Sequence, residues 1–163
     1  LSLSVSCGDD TCGPDGDETG ISASTGAETA TFSEFTASAN NDCPNVGSPT
    51  AVTIASTQDG SSGSFILCLS RPEVVGSSAL DIDFDGSLQL VSIAVQLDCP
   101  AIIDRSQTPS LRASFSGFCG DGVDPAGFTL DVEGSVSMLK QCPGLPDESV
   151  TLELQGNAPV TLE

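Results

Sequence analysis

From Phe32 onward the apolar residues recur at every second position, and that spacing admits strands and little else. Phe128, Leu130, Val132, Val136 and Met138 share one parity, while Thr129, Asp131, Glu133, Ser135 and Ser137 hold the other. Val150, Leu152 and Leu154 alternate with Thr151, Glu153 and Gln155, and Leu111, Ala113, Phe115 and Cys119 form a further inward row. The run Phe65-Ile66-Leu67-Cys68-Leu69 is apolar on both faces, as a central strand is. Breakers divide these runs at Asp59-Gly60-Ser61-Ser62-Gly63, at Gly120-Asp121-Gly122-Val123-Asp124-Pro125 and at Pro143-Gly144-Leu145-Pro146-Asp147. No segment has helical periodicity, and no apolar run is long enough to cross a bilayer as a helix. The expected fold is all-β, an antiparallel β-sandwich, with a barrel or meander as the alternative. Pro159 cannot donate to a ladder, so the last strand is expected at an edge.

Charge and missing residue types narrow the function. Only Arg71, Arg105, Arg112 and Lys140 stand against 23 acidic residues, for a net charge of −19. Such a chain repels phosphate backbones and anionic headgroups, so a nucleic-acid partner is not expected. Histidine, tryptophan and tyrosine are absent. Imidazole-dependent triads and His-ligated metal sites are thereby excluded. Stacking platforms for sugars or bases would have to be built from seven Phe alone. Seven cysteines, no Cys-x-x-Cys pair and no histidine to complete a zinc set point to disulfides and an oxidising compartment.

The opening Leu1-Ser2-Leu3-Ser4-Val5-Ser6-Cys7-Gly8-Asp9-Asp10 resembles the end of a bacterial lipoprotein signal peptide. In that family a small residue, here Ser6, precedes a cysteine that becomes lipidated, and a polar linker follows. The resemblance implies that Cys7 carries the lipid and accounts for the odd cysteine. It also implies export to the outer membrane, cell surface or periplasm, with a lipid anchor as the only hold on a membrane. Leu1, Leu3, Val5 and Cys7 also alternate as a strand does, which is the competing reading. From Gly8 to Glu28 the chain is mostly Gly, Asp, Ser and Thr, with too little apolar surface to offset its chain entropy. The organisation expected is a signal remnant, lipidation cysteine and disordered acidic linker over residues 1–29, then the all-β domain over residues 30–163.

Two segments match closely: Leu80-Asp81-Ile82-Asp83-Phe84-Asp85-Gly86-Ser87-Leu88-Gln89-Leu90 and Phe128-Thr129-Leu130-Asp131-Val132-Glu133-Gly134-Ser135-Val136-Ser137-Met138. Each follows a strand ending near a cysteine and precedes a Cys-Pro, so the domain reads as an internal pseudo-repeat. If acid-Gly-Ser is a three-residue hairpin loop, Phe84 lies opposite Leu88 and a parity break between Leu90 and Val91 marks a bulge. Three antiparallel strands then bring Cys68 to Cys99 and, in the second copy, Cys119 to Cys142, leaving Cys12 for Cys43. The alternative is a single long strand through the glycine, since parity continues across it.

Chemistry-bearing candidates are few. Asp81, Asp83, Asp85 and Gly86 spell the start of a calcium loop, but Ser92 stands where an EF-hand needs Glu. Asp121 and Asp124 sit in a loop that offers carboxylates to calcium. Beside these candidates stands the reading of ordinary strand and loop acids, under which no cofactor is bound. Catalysis would have to rest on a carboxylate pair, which spacing does not identify, or on Lys140 as a base for serine, with no motif around it. The expected function is a non-catalytic exported surface or envelope module with a binding or structural role toward an unidentified protein or ligand. A calcium-dependent adhesion domain and a carboxylate hydrolase are the alternatives. A net charge of −19 repels itself, and salt screens that repulsion. Melting temperature is therefore expected to rise between low and high NaCl, and calorimetry showing no salt dependence would refute this.

Overall fold

The computed structural model of the protein describes residues 14, 16–38, 51–70, 78–117 and 127–162. The alternating runs form eleven strands among these residues, with no helix. In chain order they are β1 (Gly20–Ser24), β2 (Thr29–Phe32), β3 (Phe35–Ser38), β4 (Val52–Thr57), β5 (Ser64–Leu69), β6 (Leu80–Ile82), β7 (Leu88–Gln96), β8 (Pro100–Ile103), β9 (Ser110–Ser116), β10 (Gly127–Lys140) and β11 (Glu148–Leu162). They join in one large sheet, ordered β2-β1-β11-β3-β4-β5-β7-β8-β10-β9-β6, which is not a closed barrel.

The hairpin of β10 and β11 organises the sheet. These strands pair along their whole length, from Gly127 opposite Thr161 to Lys140 opposite Glu148. Their outer flanks are then divided. β10 gives residues 129–135 to β9 and residues 138–140 to β8. β11 gives residues 153–157 to β1 and residues 160–162 to β3, the latter a parallel pairing in an otherwise antiparallel scheme. The sheet folds over, so strands that share no ladder meet through their apolar faces. Phe32 of β2 and Phe35 of β3 each pack edge-on against Phe65 of β5, with ring centroids 5.7 Å apart. Around them Ile21, Ile54, Leu67, Leu90, Leu130, Val132, Met138, Leu152 and Val160 are fully buried in one core. Each such side chain contributes roughly 1.5–3 kcal/mol on leaving water.

Several local expectations hold. β5 lies inside the sheet between β4 and β7, and its outward Cys68 is buried with Ala51 and Val91. Ser92 pairs with Ile66 but Leu90 with Leu67, so Val91 is the extra residue of a bulge. The Arg105 guanidinium bonds the Val91 carbonyl and lies over the Phe84 ring, 5.3 Å from its centroid.

Four expectations are corrected. The boundary at residue 30 falls inside the domain, because β1 is a strand between β2 and β11 with Ile21 and Ala23 fully buried. Its composition is that of a linker, and the two flanking ladders supply what its own sequence lacks. Acid-Gly-Ser is not a hairpin loop in either copy. β10 runs straight through Gly134. The first copy does turn after Ile82, but β6 pairs with β9, and Asp83 bridges Gln89 in parallel sense. The two copies therefore share a sequence pattern and not a structure.

The disulfides follow from this. Cys99 is bonded to Cys142, with Cα atoms 5.1 Å apart, so neither Cys68–Cys99 nor Cys119–Cys142 forms. β8 pairs with the end of β10 at Ala101 and Lys140, and carrying that register outward sets Cys99 opposite Cys142. Cys68 lies level with Gln89 at the start of β7, whereas Cys99 follows its far end. That separation is on the order of 20 Å along the strand, far beyond disulfide reach. Cys68 is itself disulfide-bonded, and not to Cys99. Cys12–Cys43 lies outside the described residues. Pro159, finally, is in a strand with neighbours on both sides. It falls between the stretches that pair with β1 and β3, where that flank makes no ladder pairing.

Two glycines make the division of the long strands possible. Gly134 has φ +127°, and a Cβ there would lie 2.0 Å from the Ser110 carbonyl oxygen of β9. Gly156 has φ +133°, and a Cβ would lie 2.3 Å from the Gly20 carbonyl oxygen of β1. Gly134→Ala and Gly156→Ala are each expected to cost roughly 1–3 kcal/mol from backbone strain, before any clash is counted. Gly144→Ala, in open space at φ +77°, is expected to cost only about 1 kcal/mol. Denaturant midpoints of the three variants check this order.

Candidate functional site

The outward side chains of β2, β1, β11, β10, β9 and β6 form a continuous polar face. Cross-strand register places Thr31, Ser22, Gln155, Glu133, Arg112 and Asp81 in one row. A second row runs through Thr29, Ser24, Glu153, Ser135 and Ser110, and a third through Asn157, Asp131 and Ser114. Period-two alternation produces this face, since each inward apolar residue forces a polar neighbour outward. It presents hydroxyl, amide and carboxylate groups with the Arg112 guanidinium among them, and Leu139 takes the same outward parity at the end of β10. Crowding of its acids has an effect: partial burial, and then the neighbouring Glu133, push the Asp131 carboxyl above the usual carboxylate range. The segment before β1 crosses one end of the face. There the Thr129 hydroxyl donates to the Glu18 carboxylate, and the Thr19 N–H donates to the Asn157 side-chain oxygen at 3.4 Å.

Three open depressions mark the described surface. The largest, about 410 Å³, lies over β3, β4 and β5, floored by Ala55 and Ile66 and bordered by Glu34, Thr36, Thr57 and Asp59. Asp59 accepts from the Ser33 N–H and hydroxyl. Another, about 340 Å³, lies between Asp81, Asp83 and Arg112. The third, about 330 Å³, exposes Glu133 and Glu153 beside Gly134. Two carboxylates on adjacent strands are the minimum for acid–base chemistry, and they are also an ordinary outward pair on an acidic sheet.

The predicted calcium candidates are placed as follows. Asp81 projects from β6 and faces Arg112, its carboxylate 3.4 Å from Nε, in an exposed pair worth at most about 1 kcal/mol. Asp83 accepts the Phe84 N–H at 2.8 Å, and Asp85 is exposed in the turn. Among the described residues these three do not gather into a metal-holding group. Asp121, Asp124 and the lipidation candidate Cys7 lie outside the described residues.

One constellation escaped sequence reading. Lys140, at the end of β10, is part-buried and places Nζ 2.6 Å from the Asp98 carboxylate and 3.2 Å from that of Glu28. Asp98 lies in the turn between β7 and β8, and Glu28 in the turn between β1 and β2. The Asp98 N–H donates to Glu28 Oε1 at 2.7 Å, and the Cys99 N–H to Asp98 Oδ1 at 2.8 Å. The Lys140 hydrogen bond holds Asp98 below the usual carboxylate range, and the two acids raise Lys140. The scarcity of lysine was the signal available: a chain with one lysine and 23 acids tends to hold that lysine in an ion pair. Which acids it meets depends on the fold.

Comparison with protein-family models, with curated proteins and with solved structures gives no match.

The shifted carboxyls fix the pH response. Asp98, and Asp104 through bonds from the Ser106 hydroxyl and N–H, are lowered, so their stabilisation is present above the unfolded carboxylate value. It is lost as pH falls through their lowered values, below about pH 4. Lys140→Met should reduce the Asp98 share of this loss, since the Cys99 N–H still favours the carboxylate. Asp131 has the opposite sign: its ionised form costs stability above its raised folded value, and the cost shrinks as pH falls through that value and is gone below the unfolded one. Asp131→Asn is therefore expected to raise the melting temperature at neutral pH and leave it unchanged in strong acid. Thermal melts of wild type and both variants across the acid range check these signs.

Proposed function

We propose that this chain is an exported, non-catalytic β module of a cell surface or envelope, serving a binding or structural role through its outer sheet face. The observation that carries the reading is the polar face itself. Its hydroxyl, amide and carboxylate groups stand in three registered rows across six strands, an arrangement suited to contact over an area. The Cys99–Cys142 bond supports an oxidising compartment, because such bonds seldom persist in a reducing cytosol. Attachment through lipid on Cys7 rests on the lipoprotein-like opening and on the odd cysteine count. Calcium-dependent adhesion competes through the loop acids Asp121 and Asp124.

Expression in its native host, with cell fractionation and mass spectrometry of the Cys7 peptide, tests the reading. The protein is expected in the envelope fraction, exposed to protease on intact cells, with a diacylglycerol-sized mass increment at Cys7. A cytoplasmic protein with free Cys99 and Cys142 thiols would overturn export. Millimolar calcium is expected to leave the melting temperature unchanged, and a rise of several degrees would favour the adhesion reading instead.

A further inference from the structure

We infer that the Cys99–Cys142 disulfide is a reducible clasp that holds Lys140: opened by a dithiol, it frees the lysine and the turn at Glu28 while the sheet stays folded. Among the described residues no ladder joins β1 or β2 to β7 or β8. At this end they are tied through side chains, with Glu28 taking both the Asp98 N–H and the Lys140 ammonium. Asp98 is aimed by the N–H of Cys99 itself, so the cysteine that forms the disulfide also orients the principal partner of Lys140. Beyond the bond, β8 and its flanking residues hold β10 through three paired positions and two backbone hydrogen bonds, the Gln141 N–H to the Pro100 carbonyl at 2.8 Å and the Asp104 N–H to the Ser137 carbonyl at 2.9 Å. Opening the bond therefore loosens the turn that carries Asp98. The β10–β11 ladder begins at Lys140 opposite Glu148 and runs away from the bond to Gly127 opposite Thr161, so most of its length is held independently of it.

Burial separates this disulfide from that of Cys68. Cys99 and Cys142 are part exposed, whereas Cys68 is 0% exposed. A dithiol therefore has access to the Cys99–Cys142 bond in the folded protein, whereas it cannot attack the other bridge at the Cys68 sulfur. The step is balanced: one S–S bond breaks, Cys99 and Cys142 become thiols, and the dithiol gives up two electrons and two protons to become a disulfide. This inference does not rest on export, since it concerns the bond and its neighbours in whichever compartment the protein meets a dithiol.

The chain supplies its own reporter, because Lys140 is its only lysine. The full-length oxidised protein is treated with dithiothreitol, alkylated, acylated at amines and mapped by peptide mass, with far-ultraviolet circular dichroism recorded alongside. Cys99 and Cys142 are expected to become alkylated. Lys140 acylation is expected to rise several-fold with the sheet signal unchanged. The Cys99→Ser/Cys142→Ser variant is expected to show the raised Lys140 reactivity without reductant. Unchanged Lys140 reactivity with the bond open, or loss of the sheet signal on opening, would each overturn the inference. The wild-type reduction experiment stands without the variant if the variant fails to fold.

Discussion

The paired length of β10 and β11 is the constraint on which the rest of the sheet depends. A ladder running from Gly127 to Lys140 is long enough to be shared, so each strand serves two different neighbours on its free flank. Such sharing requires a neighbour's backbone to come closer than a side chain allows. Gly134 and Gly156 provide that approach, at φ values that other residues adopt only with strain. Once the flanks are divided, the sheet turns back on itself, and Phe32, Phe35 and Phe65 meet from strands with no hydrogen bond in common. The core is thus a consequence of the hairpin as much as of hydrophobicity.

A chain with a net charge of −19 has few cations with which to fix its ends. Two described cations hold backbone or surface features: Arg105 takes the carbonyl at the bulge, and Arg112 faces Asp81. Lys140 does more, because it is sheltered and its two carboxylates come from turns that the sheet does not otherwise connect. The covalent bond beside it adds a constraint that charge alone would not supply in salt. Ion cluster and disulfide together occupy the end where β8 leaves β10, one of the two three-residue pairings along the long hairpin.

The outward face is the counterpart of that economy. Strands that bury one parity must present the other, and here the exposed parity is almost wholly Ser, Thr, Asn, Gln, Asp and Glu. Such a face resists aggregation through its charge and offers many weak polar contacts over an area. The proposed surface or envelope role rests on this face and not on any single depression, since the depressions described are open.

Features with a local physical cause were legible in the sequence. Alternation identified the strands because inward and outward positions differ every two residues, and the two-sided apolar run at Phe65–Leu69 identified the interior strand. The parity break at Leu90–Val91 identified the bulge for the same reason. Misread features depended on which strands become neighbours. Ile21 and Ala23 looked like linker because their burial comes from β2 and β11. Gly134 looked like a turn because nothing nearby in sequence announces the Ser110 backbone beside it. Pro159 looked like an edge residue because the gap between β1 and β3 exists only in the assembled sheet. The sequence by itself determined that this chain must be a polar-faced, disulfide-bearing β protein, since parity, charge and cysteine count are properties of the chain. Only the tertiary structure decided that Cys99 meets Cys142 and that Lys140 meets Asp98 and Glu28, because register between distant strands is set by the packed core.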